Sequence, residues 1–187
     1  MAGQQSHTRP SDQTPDHRRH SQGNGQTGPR LAGMLHFVFH TPEIPGNTGN
    51  AIRLAACTGA RLHLVEPLGF NFDHANLRRA GLDYHDLAVM DVHPTVEALW
   101  DALGDARVFA FTSRSSTRHT DVAYRDGDVL LFGRESTGLP DEVLADERIH
   151  ERVRIPMLAG RRSLNLANSA SIALYEAWRQ LGFPDGV

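Results

Sequence analysis

Val129-Leu130-Leu131-Phe132-Gly133-Arg134-Glu135-Ser136-Thr137-Gly138-Leu139-Pro140 sets an unbroken apolar run against a polar loop bracketed by glycines. Four apolar residues in a row, with no polar alternation, describe a strand covered on both faces, the usual state in a parallel sheet flanked by helices. Gly133 and Gly138 permit backbone conformations that other residues resist, so the loop either wraps closely around a ligand or simply connects strand to helix. Pro140 suits the first turn of the next helix. Glu135, inside the loop, is placed to accept hydrogen bonds from a bound group or to pair with an arginine.

Working outward, Leu35 to Phe39, Arg61 to Val65, Leu87 to Val92, Val108 to Phe111 and Val153 to Ile155 also read as strands, with helical patterns between several of them. The fold class is α/β, a mainly parallel sheet flanked by helices. Asn47 or Thr48 caps the first helix and Gly59 ends it. Asp91-Val92-His93-Pro94 leads into another, with Val96, Leu99, Trp100 and Leu103 at helical spacing. In the last helix Leu166, Ala170, Leu174, Ala177 and Leu181 form one stripe, while Ile172, Tyr175 and Trp178 lie toward the other side. Such a helix needs two partners, and the second is either a further helix of the chain or another subunit.

Of 187 residues 40% are apolar, enough for one well-buried domain. Residues 1–33 hold almost no large apolar side chains and are expected to form a disordered tail, leaving one domain at 34–187. Cys57 is the single cysteine, which rules out an intramolecular disulfide and points to a reducing, cytoplasmic setting. Embedded among alanines, it reads as a small core residue. No apolar run reaches the roughly 18 to 20 residues of a membrane span, and the histidines show no zinc spacing, so neither a membrane nor a metal is expected. All 19 basic residues are arginine, against 22 acids, for a net charge of −3. An RNA partner would therefore be gripped by local patches and not by bulk charge.

Nucleotide signatures of the Gly-x-Gly-x-x-Gly and P-loop kinds are missing. Instead the first strand runs into Thr41-Pro42-Glu43-Ile44-Pro45-Gly46-Asn47-Thr48-Gly49-Asn50-Ala51-Ile52-Arg53. Asn50 and Arg53 share a helix face near a positive helix start, which suits a phosphate, unless Asn47 merely caps and Arg53 is solvated. A third stretch, Gly160-Arg161-Arg162-Ser163-Leu164-Asn165-Leu166-Ala167-Asn168-Ser169, brings cations, hydroxyls and amides to a helix start. Thr112-Ser113-Arg114-Ser115-Ser116-Thr117-Arg118-His119-Thr120 is a polar, basic loop that either contacts RNA or is mobile. Arg78-Arg79 is a phosphate contact or a solvated helix face.

At the three polar stretches, and at Pro42-Glu43-Ile44-Pro45, Leu77-Arg78-Arg79-Ala80-Gly81-Leu82-Asp83-Tyr84 and Tyr175-Glu176-Ala177-Trp178-Arg179-Gln180-Leu181-Gly182, the chain resembles the SPOUT superfamily of S-adenosylmethionine-dependent RNA methyltransferases. Within it the resemblance is greatest to enzymes that methylate the 2′-hydroxyl of the tRNA wobble nucleotide. It runs from about Met34 to Phe183, and departs at Gly46, where such enzymes often carry a second proline.

The resemblance implies a C-terminal trefoil knot, a homodimer with composite sites, and tRNA as substrate, with leucine isoacceptors expected. It implies S-adenosylmethionine contacts at Phe111, Thr112, Gly133, Glu135, Gly138, Ile155, Met157, Leu158, Ser163, Leu164 and Ser169. Catalysis falls by the same resemblance to Arg53, Glu135, Ser163 and Asn165, and RNA binding to Asn47, Asn50, Arg53, Arg114, Arg161 and Arg162. Two alternatives remain: methylation at another RNA site, or an RNA-binding protein that no longer catalyses, against which the intact Arg53, Glu135, Ser163 and Asn165 argue.

Overall fold

The computed structural model describes residues 33–71 and 89–187, together with residues 1 and 3. The rest of the 1–33 tail, Arg78-Arg79, and the first two residues of the strand expected at Leu87 to Val92 lie outside the described residues. The described elements fall in one compact unit, Leu31–Val187. Six strands, β1 (His36–His40), β2 (Arg61–Val65), β3 (Met90–His93), β4 (Val108–Phe111), β5 (Val129–Phe132) and β6 (Ile149–Val153), make a single sheet of order β3-β2-β1-β5-β4-β6. Every pairing between them is parallel.

Helices α1 (Pro45–Thr58) and α4 (Leu166–Gln180) cover one face, and α2 (Val96–Leu103) and α3 (Asp141–Leu144) the other. Alternation along β5 sends Leu130 and Phe132 into the α1/α4 core and Val129 and Leu131 into the α2/α3 core. All four residues of β5 are buried, as an apolar run covered on both faces should be.

Three expectations need correction. Helix α1 starts at Pro45, with Pro in its first turn and Ile44 as N-cap, because proline's fixed φ is already helical; Asn47 sits inside the helix. Its C-terminal end at Gly59, in the left-handed region with φ 71°, is as expected. The last strand is Ile149–Val153 and not Val153 to Ile155, since it is an edge strand whose His150 and Arg152 face outward. Cys57 is exposed: the buried side of α1 is carried by Asn47, Thr48, Ala51, Ile52 and Ala55, leaving Cys57 on the outer side with Arg53.

On the α2/α3 face three buried histidines form a chain across adjacent strands. His36 Nδ1 lies 3.0 Å from His63 Nε2, and His63 Nδ1 lies 3.0 Å from His93 Nε2. Burial, then the neighbouring imidazoles, pull the His63 pKa down to about 3, so the central ring of the chain is neutral, and burial also lowers the pKa of His93. Among the described residues no helix is long and apolar enough to cross a membrane.

Candidate active site

In an open parallel sheet, ligands bind beyond the carboxyl ends of the strands, where neighbouring connections leave in opposite directions. Here that point lies between β1, which pairs with β2 on one side, and β5 on the other. A cleft of about 1330 Å³ opens there, lined by the segments that follow β1, β4, β5 and β6. Phe111 and Phe132, the last residues of β4 and β5, stack at 4.5 Å and belong to its lining.

The loop after β5 closes tightly. Its Arg134 and Gly138 pair in an antiparallel bridge, with the Gly138 N–H donating to the Arg134 carbonyl at 3.0 Å. A side chain at position 133 would place its Cβ 2.0 Å from the Gly138 carbonyl carbon and 2.1 Å from the Leu139 nitrogen, so only glycine lets the loop fold back on itself. Arg134 is anchored by its Nε to Thr41 Oγ1 at 3.0 Å, and Thr41 itself holds a left-handed backbone, φ 51°, just past the end of β1.

Glu135 joins this loop to the start of α1. Its carboxylate accepts the Glu43 N–H at 2.7 Å, the Ile44 N–H at 3.2 Å and Asn47 Nδ2 at 2.7 Å, setting a negative charge at the positive helix end. Glu43 answers it: its carboxylate accepts the Ser136 N–H at 3.1 Å and Oγ–H at 2.9 Å. Asn47 Oδ1 then accepts from Asn165 Nδ2 at 2.8 Å, and Asn165 Oδ1 accepts the Asn168 N–H at 3.1 Å, which caps α4.

The amide orientations follow from one end. A carboxylate only accepts, so Asn47 must turn its NH₂ toward Glu135, and its oxygen is left for the NH₂ of Asn165. The three polar stretches of the sequence thus meet in one directed hydrogen-bond relay.

Of the residues expected at the site, Asn47, Phe111, Thr112, Arg114, Gly133, Glu135, Gly138, Ile155, Met157, Arg161, Arg162, Ser163, Leu164, Asn165 and Ser169 line the cleft. Asn47 is 3% exposed and both ends of its amide are bonded within the protein, which makes it a connector between motifs. Leu158 is 78% exposed and outside the lining. Asn50 and Arg53 lie on the exposed side of α1, also outside it. Arg114 pairs with Asp141 at 2.7 Å in the open.

Glu43, Thr41 and Arg134 are residues of the site that sequence reasoning misses. Their partners are about 93 residues away, and no local spacing signals them. Among the described residues, no group of three or more His, Cys, Asp or Glu side chains is arranged to hold a metal ion.

Fold and cleft together define an α/β protein that takes its ligand at the carboxyl end of a parallel sheet, through loops drawn from four strands. The chain belongs to the SpoU rRNA Methylase family, whose pattern it matches over residues 34–175. It is 53% identical over 154 residues to a tRNA (cytidine(34)-2′-O)-methyltransferase of Methylovorus glucosotrophus (strain SIP3-4), an alignment covering 82% of this chain and 100% of that protein. A solved structure described as giving structural insights into the 2-OH methylation of C/U34 on tRNA superposes with a TM-score of 0.74 at 48% identity, over 81% of this chain and 98% of that one. The SpoU methyltransferase AviRb from Streptomyces viridochromogenes, solved in complex with the cofactor AdoMet, gives 0.69 at 26% identity, over 82% and 60% of the two chains. The family resemblance read from the polar stretches is borne out.

Proposed function

We propose that this chain catalyses S-adenosylmethionine-dependent methylation of the ribose 2′-hydroxyl of the wobble nucleotide, cytidine 34 or uridine 34, in tRNA, with leucine isoacceptors as the expected substrates. The observation that carries this reading is the Glu135–Asn47–Asn165 relay, which gathers three motifs around one cleft in a member of a methylase family. The near-complete coverage of the Methylovorus glucosotrophus enzyme supports the wobble position over other RNA sites.

The cleft suits the cofactor. Its volume exceeds the roughly 300 to 1,000 Å³ of a single small-molecule pocket, leaving room for a nucleotide beside it. Gly133 lets the loop after β5 fold back on itself, and Gly133 and Gly138 of that folded loop line the cleft. When bound, S-adenosylmethionine supplies an electrophilic methyl group. The contribution of the chain is alignment, which is able to lower a barrier by roughly 7 to 11 kcal/mol when geometry is near attack. Glu135 and Asn165, fixed by the relay, hold the loops after β5 and β6 in register, and Ser163 lines the cleft beside them.

Arg53 enters from a second copy of the chain. Its exposed position on α1, outside the cleft lining, supports a composite site. So do the exposed Ile172, Tyr175 and Phe183 on and beyond α4, which offer an apolar surface for a homodimer. Freeing an arginine of its proton near neutral pH costs at least about 7 kcal/mol, so Arg53 acts as a clamp for the developing alkoxide or an adjacent phosphate and not as a base. The trefoil knot, the cytoplasmic setting and a catalytic domain at 34–187 belong to the same reading.

The test is to incubate the purified protein with S-adenosylmethionine and tRNA lacking wobble methylation, then map methylated nucleosides by mass spectrometry. A 2′-O-methylated nucleotide at the wobble position, lost in Arg53→Ala while cofactor binding persists, is the expected result. A base-methylated product, or a product elsewhere in the tRNA, would overturn it.

A further inference from the structure

Arg118 and Arg154 face each other across a parallel backbone bridge beside the open edge of the sheet. Two main-chain hydrogen bonds of 2.9 Å fix it, from the Arg154 N–H to the Thr117 carbonyl and from the His119 N–H to the Arg154 carbonyl. Residues paired in this way project from the same face, so two cationic side chains stand next to each other. Like charges directly opposite destabilise a sheet unless something lies between them. Alternation along the strand puts Arg152 on that face too, with its Nε donating to the Leu144 carbonyl at 2.9 Å.

Elsewhere the arginines find acids: Arg61 pairs with Asp91, Arg107 with Asp128, and Arg179 with Glu176. Among the described residues neither Arg118 nor Arg154 makes an ion pair or a side-chain hydrogen bond. Scarcity of carboxylates does not explain this, since acids outnumber arginines 22 to 19.

The position of the pair is informative as well. Arg154 immediately precedes Ile155, and Arg118 follows Arg114 in the same loop; Ile155 and Arg114 both line the cleft. The pair therefore adjoins the cleft lining along the chain, while alternation turns Arg154 to the side opposite Ile155. We infer that Arg118 and Arg154 together clamp a phosphate of the RNA strand that flanks the nucleotide held in the cleft. A phosphate between the two guanidiniums converts their repulsion into paired, charge-assisted hydrogen bonds, which suits the planar donor fork of arginine. This rests on the RNA reading of the cleft proposed above, and it assigns a use to the basic loop after β4.

The test compares the full-length protein with the double variant Arg118→Gln, Arg154→Gln, both checked by thermal melting. Affinity for unmodified tRNA is measured over a series of salt concentrations, and affinity for S-adenosylmethionine separately by calorimetry. The expected result is unchanged melting and cofactor affinity, tRNA binding weakened about tenfold at low salt, and a salt slope shallower by roughly 0.7 to 0.9 for each phosphate that the protein ceases to neutralise. Arg118→Lys, Arg154→Lys should keep the slope while losing part of the affinity. If wild-type protein binds tRNA and the glutamine variant binds it with the same affinity and slope, the clamp is refuted. A fall in cofactor affinity with tRNA binding intact would likewise overturn it, moving the pair to the cofactor site. Failure of the unmutated protein to bind tRNA at all would instead remove the RNA reading itself.

Discussion

Asn165 Nδ2 donates to Asn47 Oδ1 at 2.8 Å, across 118 residues of sequence. Because Asn47 also donates to Glu135, this one contact locks the start of α1 to the start of α4 and to the loop after β5. Replacing Asn47 by Asp sets a second carboxylate against Glu135 and removes the donor. The expected cost is about 1 to 3 kcal/mol, the usual penalty for a buried polar group left unmatched, seen as a lower melting temperature together with impaired methyl transfer. Unchanged melting and turnover in both Asn47→Asp and Asn47→Ala would mean that the relay does not hold the site together.

Gly133→Ala should strike the cofactor site harder than the fold. The added Cβ meets backbone of Gly138 and Leu139, which must move, and that segment lines the cleft. Calorimetry should find S-adenosylmethionine affinity down by at least about tenfold, the loss expected when a close backbone approach is blocked at roughly 1.4 kcal/mol or more. Wild-type affinity in this variant would show that the loop yields without consequence.

Stability should fall in acid partly through His63. Its folded pKa, about 3, lies below the value near 6.5 of an unfolded chain, so the unfolded state takes up the proton first. The contribution is complete above about pH 6.5 and is lost as pH falls toward 3, at up to about 1.4 kcal/mol per pH unit. Urea denaturation at a series of pH values should show a shallower acid limb in His63→Gln than in wild type. Parallel limbs would assign acid loss to other groups.

Asp128 is 2% exposed and takes two hydrogen bonds from Arg107, at 2.9 and 2.6 Å, and one from the Arg125 N–H at 2.7 Å. Truncation to Ala leaves a partly buried guanidinium and a backbone donor unmatched, at a cost of about 3 to 5 kcal/mol. Chemical denaturation reads this directly, and a loss below about 1 kcal/mol would show that solvent replaces the carboxylate.

Much of this architecture is readable from apolar runs. Val108 to Phe111 and Val129 to Phe132 are strands at the expected residues because both faces are covered and nothing polar interrupts them. Ile149–Val153 is harder to see because an edge strand tolerates His150 and Arg152 on its open side, so its pattern is diluted by charge. The start of α1 is obscured for a related reason. A carboxylate 88 residues from Asn47 occupies the helix end where a local cap is sought, so Asn47 is able to turn inward. Site residues that line the cleft are readable as types at loop positions, whereas the relay among them depends on contacts that only the folded sheet creates.

The sheet order also governs how the chain must be made. β1 is among the first strands synthesised, yet one of its neighbours is β5, with His36 opposite Val129. At roughly 5 to 20 residues per second, a nascent chain waits on the order of 5 to 20 s between the two strands. Throughout that interval the flank of β1 that β5 will occupy is an open edge, with Phe37 and Phe39 beside it awaiting the rest of their core. Birth on the ribosome, more than life as a finished protein, is when this chain gives a chaperone something to hold.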